Sequence, residues 1–222
     1  VVGDKNQCIF RFKEADDRYI QYAQELFSFA PYNWINLSLS TSYRVNKQIA
    51  SFVNAMMNTI RIPNTVRDNP GKEVRYLIKD AYTRGPKCDN VAIVKAMLEY
   101  YEYDDIFILA PSLRSTSTPV RSLANTLSQL GIPVFVPSDV NEALSDKVTR
   151  GKITFATFHQ VKGLERKVVI IFNFDESYIQ FYNKTCDPNV CPNELYVAMT
   201  RAKEKLIVIH HYKNRFLPFI DK

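Results

Sequence analysis

Apolar positions along this chain recur with two periods. Short apolar runs at residues 35–39, 74–78, 105–110, 132–136, 153–158, 168–174 and 206–210 have the length and β-branched content of strands. Between the first two, Ile49, Phe52, Val53, Met56, Met57 and Ile60 fall at i, i+3, i+4, i+7, i+8 and i+11, one face of a helix. Thr118-Pro119 is a helix cap followed by proline at the first helical position, and Gly131 closes that helix. Inside it, Val120, Leu123, Ala124, Leu127 and Leu130 line one side. A further helix is predicted from Pro192 through Ala202. Strands alternating with helices predict an α/β fold, a parallel sheet covered on both faces. Loops are expected at 64–72, 83–89, 137–152 and 182–192.

Composition narrows the class. The 222 residues are 46% hydrophobic and 13% aromatic, enough for one sizeable core. No apolar run approaches the roughly 18 residues that span a bilayer, and no signal-peptide pattern opens the chain. These features suggest a soluble, intracellular protein with no membrane partner. The chain starts at Val1 without an initiator Met, which suggests a piece of a longer protein. Its 29 basic against 23 acidic residues give a net charge of +6, compatible with a polyanionic partner. Cys8, Cys88, Cys186 and Cys191 are scattered without a second pair or a nearby His, so no metal site is expected.

A phosphate-cradling loop needs G-x-x-x-x-G-K-[S/T], and none of the six glycines has that context. The run Val168 to Glu176 ends in Asp175-Glu176 and imitates a magnesium-binding strand.

Four segments carry the candidate chemistry. Val1-Val-Gly3-Asp4-Lys-Asn-Gln7-Cys-Ile-Phe10-Arg11-Phe12 combines an amide with two aromatics. Leu39-Ser-Thr-Ser-Tyr43-Arg44 sets an arginine after a predicted strand. Thr157-Phe-His159-Gln-Val-Lys162-Gly163-Leu-Glu165 and Glu194-Leu-Tyr-Val-Ala-Met-Thr-Arg201-Ala-Lys-Glu-Lys-Leu206 set cations, a glycine and carboxylates beside apolar strands. In this order the segments resemble motifs III, IV, V and VI of the UvrD/Rep-type superfamily 1 DNA helicases. Phe10 and Ser42 stand where the family usually has Tyr and Asn. A looser match runs from Asp105 through Arg121 to Pro133 and resembles segment IVa. The magnesium-binding role of Asp175-Glu176 is rejected because the run directly follows Thr157 to Glu165, a segment whose family resemblance implies a strand ending in an acidic pair at this place.

The resemblance implies a RecA-like, P-loop NTPase-type parallel sheet. Residues 1–30 would be the tail of a first RecA-like domain and residues 31–222 the second. The first domain, with the ATP-binding half, would lie upstream, and the large helical insertion of many relatives is absent between 136 and 152. The implied activity is that of the C-terminal motor domain of an ATP-dependent 3′–5′ DNA helicase, itself inactive as an ATPase. ATP and Mg²⁺ would be bound mainly by the missing domain. Gln7, Arg44 and Arg201 would act on the γ-phosphate, the arginines as fingers. Tyr43 would stack on adenine, Gly163 would let the backbone approach the nucleotide, and Glu165 would accept from the ribose. Phe10 and Phe12, placed on one side by a two-residue period, would stack on bases of single-stranded DNA, with Arg121, Thr157 and His159 on its backbone. A second reading is an inactive nucleic-acid-binding module or an RNA-directed helicase domain.

Overall fold

The computed structural model describes residues 1–28, 33–67, 73–139 and 142–220. Eight strands and seven α-helices follow one another along these segments. Two short helices come first, α1 (Arg18–Gln21) and α2 (Ala23–Leu26), then β1 (Thr41–Asn46), α3 (Lys47–Met56), β2 (Asn64–Arg67) and β3 (Arg75–Lys79). Next come α4 (Asp89–Leu98), β4 (Ile106–Ala110), α5 (Pro119–Gln129), β5 (Val134–Phe135) and α6 (Asp146–Thr149). β6 (Ile153–Thr157), β7 (Arg166–Ile171), α7 (Asn193–Met199) and β8 (Ala202–His211) complete the order.

Six strands form one all-parallel sheet in the order β3-β8-β7-β4-β6-β5, and β1 and β2 make a separate parallel pair. Parallel strands need a crossover, and covered faces make their strands apolar on both sides. β4 shows this directly. Ile106, Ile108 and Ala110 pack with Val91 and Val94 of α4 and Val120, Leu123 and Leu127 of α5. Phe107 and Leu109 point the other way, to Ile49 and Val53 of α3 and Leu195 to Met199 of α7. The α/β class and the covered parallel sheet are thus as the alternation of periods predicts.

Several boundaries differ. Residues 35–39 are not a strand: Ile35, Leu37 and Leu39 are 80%, 88% and 93% exposed, and pairing begins only at Thr41. Asn64–Arg67, expected as loop, forms β2; the rest of that loop, 68–72, lies outside the described residues. The helical stripe ends early, because α3 stops at Met56 and leaves Ile60 75% exposed. α4 has no counterpart among the predicted elements, and a one-turn α6 lies in the expected loop at 137–152. The expected domain boundary at 30/31 also falls outside the described residues.

The N-terminal segment forms 3₁₀ turns at Lys5–Gln7 and Arg11–Lys13, not an extended strand. A two-residue period therefore does not set the directions of Phe10 and Phe12, and the side chain of Phe12 lies outside the described residues. Among the described residues, no helix is long and apolar enough to cross a membrane.

Candidate functional site: two ends of one sheet

The four motif segments reach two places, one at each end of the sheet. The first lies where β7 and β8 begin. Arg166 and Ala202 are partners in the parallel register, so the residues just before and after them are neighbours. Glu165 precedes β7, and Lys203 is the second residue of β8. Arg44 arrives from β1, 121 residues away in sequence, and its Nε donates to Glu165 Oε2 at 2.7 Å. Lys203 Nζ holds the other carboxylate oxygen. A cavity of about 520 Å³ opens alongside, where Arg150, Arg166, Lys167 and Lys203 face the carboxylates of Asp104, Asp105, Asp146, Glu165 and Glu204.

Arg201 sits in the turn between α7 and β8, because α7 ends at Met199 instead of continuing to Ala202. It is 0% exposed. Its Nε donates to Val197 O at 2.9 Å, Nη1 to Leu164 O at 3.2 Å and Nη2 to Thr200 Oγ1 at 3.0 Å. All three acceptors are neutral. Burial, and then repulsion from Arg44, pull its pKa down to about 10, with Tyr196, Glu165 and Asp4 pulling back. It remains a cation at neutral pH, held close to a second cation.

Glu165 answers those charges. Burial works to raise its carboxyl, but hydrogen bonds from Lys203 and Arg44 outweigh it and hold the pKa below the usual carboxylate value of 4.5. A depressed folded-state pKa contributes stability that is full above the unfolded value and lost as pH falls through the folded one. The difference in Tm between the native chain and Glu165→Gln is therefore expected to be constant above about pH 5 and to shrink on acidification below the ordinary carboxylate pKa. Thermal melts across a pH series measure it. A difference that grows on acidification contradicts the pairing.

Gln7 joins this end indirectly. Its Nε2 donates to Asp4 Oδ2 at 3.0 Å, and the Tyr196 hydroxyl of α7 donates to the same oxygen at 3.3 Å. Asn193 Nδ2 donates to the carbonyls of Lys5 and Cys8, tying the N-terminal turn to α7. Gly163 has φ of +87°, a conformation that a side chain would strain, and a Cβ there would meet nothing within 4 Å. The glycine thus serves the turn and leaves open space in front of the backbone. Tyr43 is 73% exposed.

The second place is where β4 and β6 end, the usual ligand side of a parallel sheet. Thr157 closes β6, and its hydroxyl donates to Gln160 Oε1 at 3.1 Å. It shares a cavity of about 220 Å³ with Gln160, Arg114 and Arg121. His159, two residues on, meets the half-buried ring of Phe10 at 5.8 Å between centroids. Lys162 and Lys13 stand over that same ring at 5.2 and 5.8 Å. Burial lowers the imidazole pKa of His159, against the pull of Glu194 and of the Ile9 backbone. Phe10 and His159 therefore share one patch, whereas Arg121 belongs with Thr157 in the adjoining cavity.

Asp175 is 1% exposed and saturated, accepting from Ser177 N at 3.0 Å, His211 N at 2.9 Å and Asn214 Nδ2 at 2.8 Å. It ties the β7 exit to the β8 exit. Among the described residues, no group of three His, Cys, Asp or Glu side chains could hold a metal ion. Lys203, Asp4 and Lys13 were not singled out by sequence. The partnership of Lys203 with Glu165 requires knowing that β8 lies beside β7.

A six-stranded parallel sheet covered by helices on both faces has the architecture of a RecA-like fold. Residues 137–213 match the family model of the UvrD-like helicase C-terminal domain. Over 113 residues it is 33% identical to the ATP-dependent DNA helicase PcrA of Staphylococcus aureus, covering 48% of this chain and 14% of that protein. Over 226 residues it is 24% identical to a putative ATP-dependent DNA helicase of Acanthamoeba polyphaga mimivirus, covering 96% of this chain and 30% of that one. The chain thus spans less than a third of the length of these relatives. The crystal structure of the C-terminal domain of a possible DNA helicase from Lactobacillus plantarum superposes with a TM-score of 0.51 at 20% identity, over 81% of this chain and 92% of that one.

Proposed function

We propose that this chain is the C-terminal motor domain of an ATP-dependent DNA helicase moving 3′ to 5′ on single-stranded DNA. Residues 1–30 would be the tail of a first RecA-like domain of the same protein, which would bind most of the ATP and its Mg²⁺. The observation that carries the reading is the meeting of Arg44, Glu165 and Arg201, from three distant segments, of which Glu165 also lines an open cavity. A pure nucleic-acid binder has no use for such a set. Planar, permanently charged guanidinium groups suit the charge that spreads over equatorial phosphate oxygens during phosphoryl transfer.

In this reading Arg44 and Arg201 face the γ-phosphate across the cleft, with Gln7 reporting its presence through the N-terminal turn. Glu165 accepts from the ribose, Tyr43 offers an exposed ring to the adenine, and Gly163 gives the nucleotide room. Arg201 is covered as it stands, so its action requires the α7–β8 turn to open when the first domain and nucleotide arrive. At the other end, Phe10 offers a ring for stacking, Lys13 and Lys162 flank it, and Thr157, His159 and Arg121 contact the phosphate–sugar backbone.

The chain alone is expected to show no ATP turnover above background, even with saturating single-stranded DNA. Its arginines have no cradled phosphate to act on. It is also expected to bind single-stranded DNA with a salt slope of about −0.7 per phosphate contacted. Phosphate-release assays and anisotropy across a salt series test both halves. Turnover near 1 s⁻¹, about the low end for phosphoryl-transfer enzymes, would restore Asp175 and Glu176 as metal ligands. Absence of any salt-dependent binding sinks the DNA-facing surface.

A further inference from the structure

Three loops meet at the carboxyl ends of β3, β7 and β8, at the edge of the sheet away from β6. The backbone binds them together: Tyr212 N donates to Lys79 O at 2.9 Å and Glu176 N to Arg215 O at 3.0 Å. Asp175 accepts from both His211 and Asn214. On this frame stands a run of rings. Tyr82 meets His211 edge-on at 5.0 Å, and His211 meets Tyr212 at 5.1 Å. Lys213 Nζ lies 5.5 Å from the centre of the Tyr212 ring. Burial raises the phenol of Tyr82, and Asp175 adds to it. Although anchored from below, Tyr82 and Tyr212 keep 44% and 51% of their surface exposed.

The rim is basic. Arg84, Lys87, Lys184, Lys213 and Arg215 are all exposed. The nearby carboxylates are turned to local work. Asp80 accepts from Tyr82 N and faces His211, Glu176 accepts from Arg215 N, and Asp187 accepts from Asn189 N. Exposed aromatic faces ringed by cations are the two ingredients of sequence-tolerant single-strand binding, in which rings carry bases and cations follow phosphates.

We propose that Tyr82 and Tyr212 form a second base-stacking surface for single-stranded nucleic acid, separate from the one at Phe10. The inference rests on the reading that this domain binds a single strand at Phe10, Thr157 and His159. In the sheet order β3-β8-β7-β4-β6, Tyr212 after β8 and Tyr82 after β3 lie three and four strand spacings from the β6 exit, roughly 14–19 Å. One strand laid across the carboxyl ends passes over both, while a very short one occupies one alone.

The test is fluorescence anisotropy on the chain with labelled oligonucleotides of graded length. Native protein is expected to gain affinity once the oligonucleotide spans both surfaces. Changing Tyr82 and Tyr212 together to Ala should remove that gain, lowering long-oligonucleotide affinity about fivefold or more and leaving the short one unchanged. The Tyr82→Phe, Tyr212→Phe pair keeps the faces, and should keep the gain. Lys213→Ala should make the salt slope shallower by about one contact. Circular dichroism melts establish that each variant is folded; if the Ala pair is not, loss of the gain in Tyr212→Ala alone decides. A long oligonucleotide that binds the folded variants as tightly as native protein overturns the proposal and leaves the Phe10 surface standing. If no oligonucleotide of any length binds, the DNA-facing reading falls and this surface with it.

Discussion

On the proposed motor role, Arg201→Ala is expected to do two separable things in the full-length protein. It should cut turnover by about 10³-fold or more, and it should also destabilise the domain. The first follows from losing a cation at charge that grows in the transition state, so nucleotide affinity should stay within a few-fold. The second follows from burial. Removing the guanidinium takes one donor each from Val197 O, Leu164 O and Thr200 Oγ1, although Val197 O keeps the Thr200 hydroxyl, and opens a void at a position that is 0% exposed. Lost buried hydrogen bonds and a cavity together cost about 3 kcal/mol or more. Arg201→Lys restores the charge but not the planar fork, so it should rescue stability in part and turnover poorly. Kinetics taken well below the Tm of each variant separate the two effects. If turnover survives while stability falls, Arg201 is a packing residue.

Asp175→Ala should be the most damaging substitution among the carboxylates for the isolated chain. Three donors converge on this buried side chain from Ser177, His211 and Asn214, and they join the exits of β7 and β8. Stranding them costs about 3 kcal/mol or more, read from urea denaturation. Glu176→Ala is expected to cost far less, since Glu176 accepts a single bond at 3.2 Å from Arg215 N at the surface. Equal, small effects of the two would mean that Asp175 is held for a ligand, not for the fold.

The sheet was legible because buried strands announce themselves. β4 is apolar throughout, β7 is apolar after Arg166-Lys167, and β6 is fully buried with only two threonines among its residues, so their runs needed only turn residues to bound them. The failures have physical causes too. Ile35, Leu37 and Leu39 alternate like a half-buried strand, yet here they have no sheet to join, and alternation alone does not supply one. α4 was missed because its apolar residues surround it more evenly: Val91, Val94 and Met97 are buried, but Ile93 and Leu98 are also partly covered. At Arg201 the helix ends early, since Thr200 returns its hydroxyl to the Tyr196 and Val197 carbonyls.

Motif residues were legible one by one, and their grouping was not. That Arg44 reaches Glu165 while Phe10 reaches His159 depends on strand order, a property of the whole sheet. Lys203 shows the same limit, having no meaning until β8 is set against β7.

Arg44 offers the cleanest test of the central claim, that this charged cluster faces the phosphates of ATP. Unlike Arg201 it is a third exposed, so its removal should barely affect folding. The deciding measurement is steady-state phosphate release by the complete protein, saturated with single-stranded DNA, with nucleotide affinity determined on the same Arg44→Ala sample. The account predicts kcat lower by about 10³-fold with ATP affinity within a few-fold of native. A kcat equal to that of the native protein would contradict it and leave Arg44 as nothing more than the surface partner of Glu165.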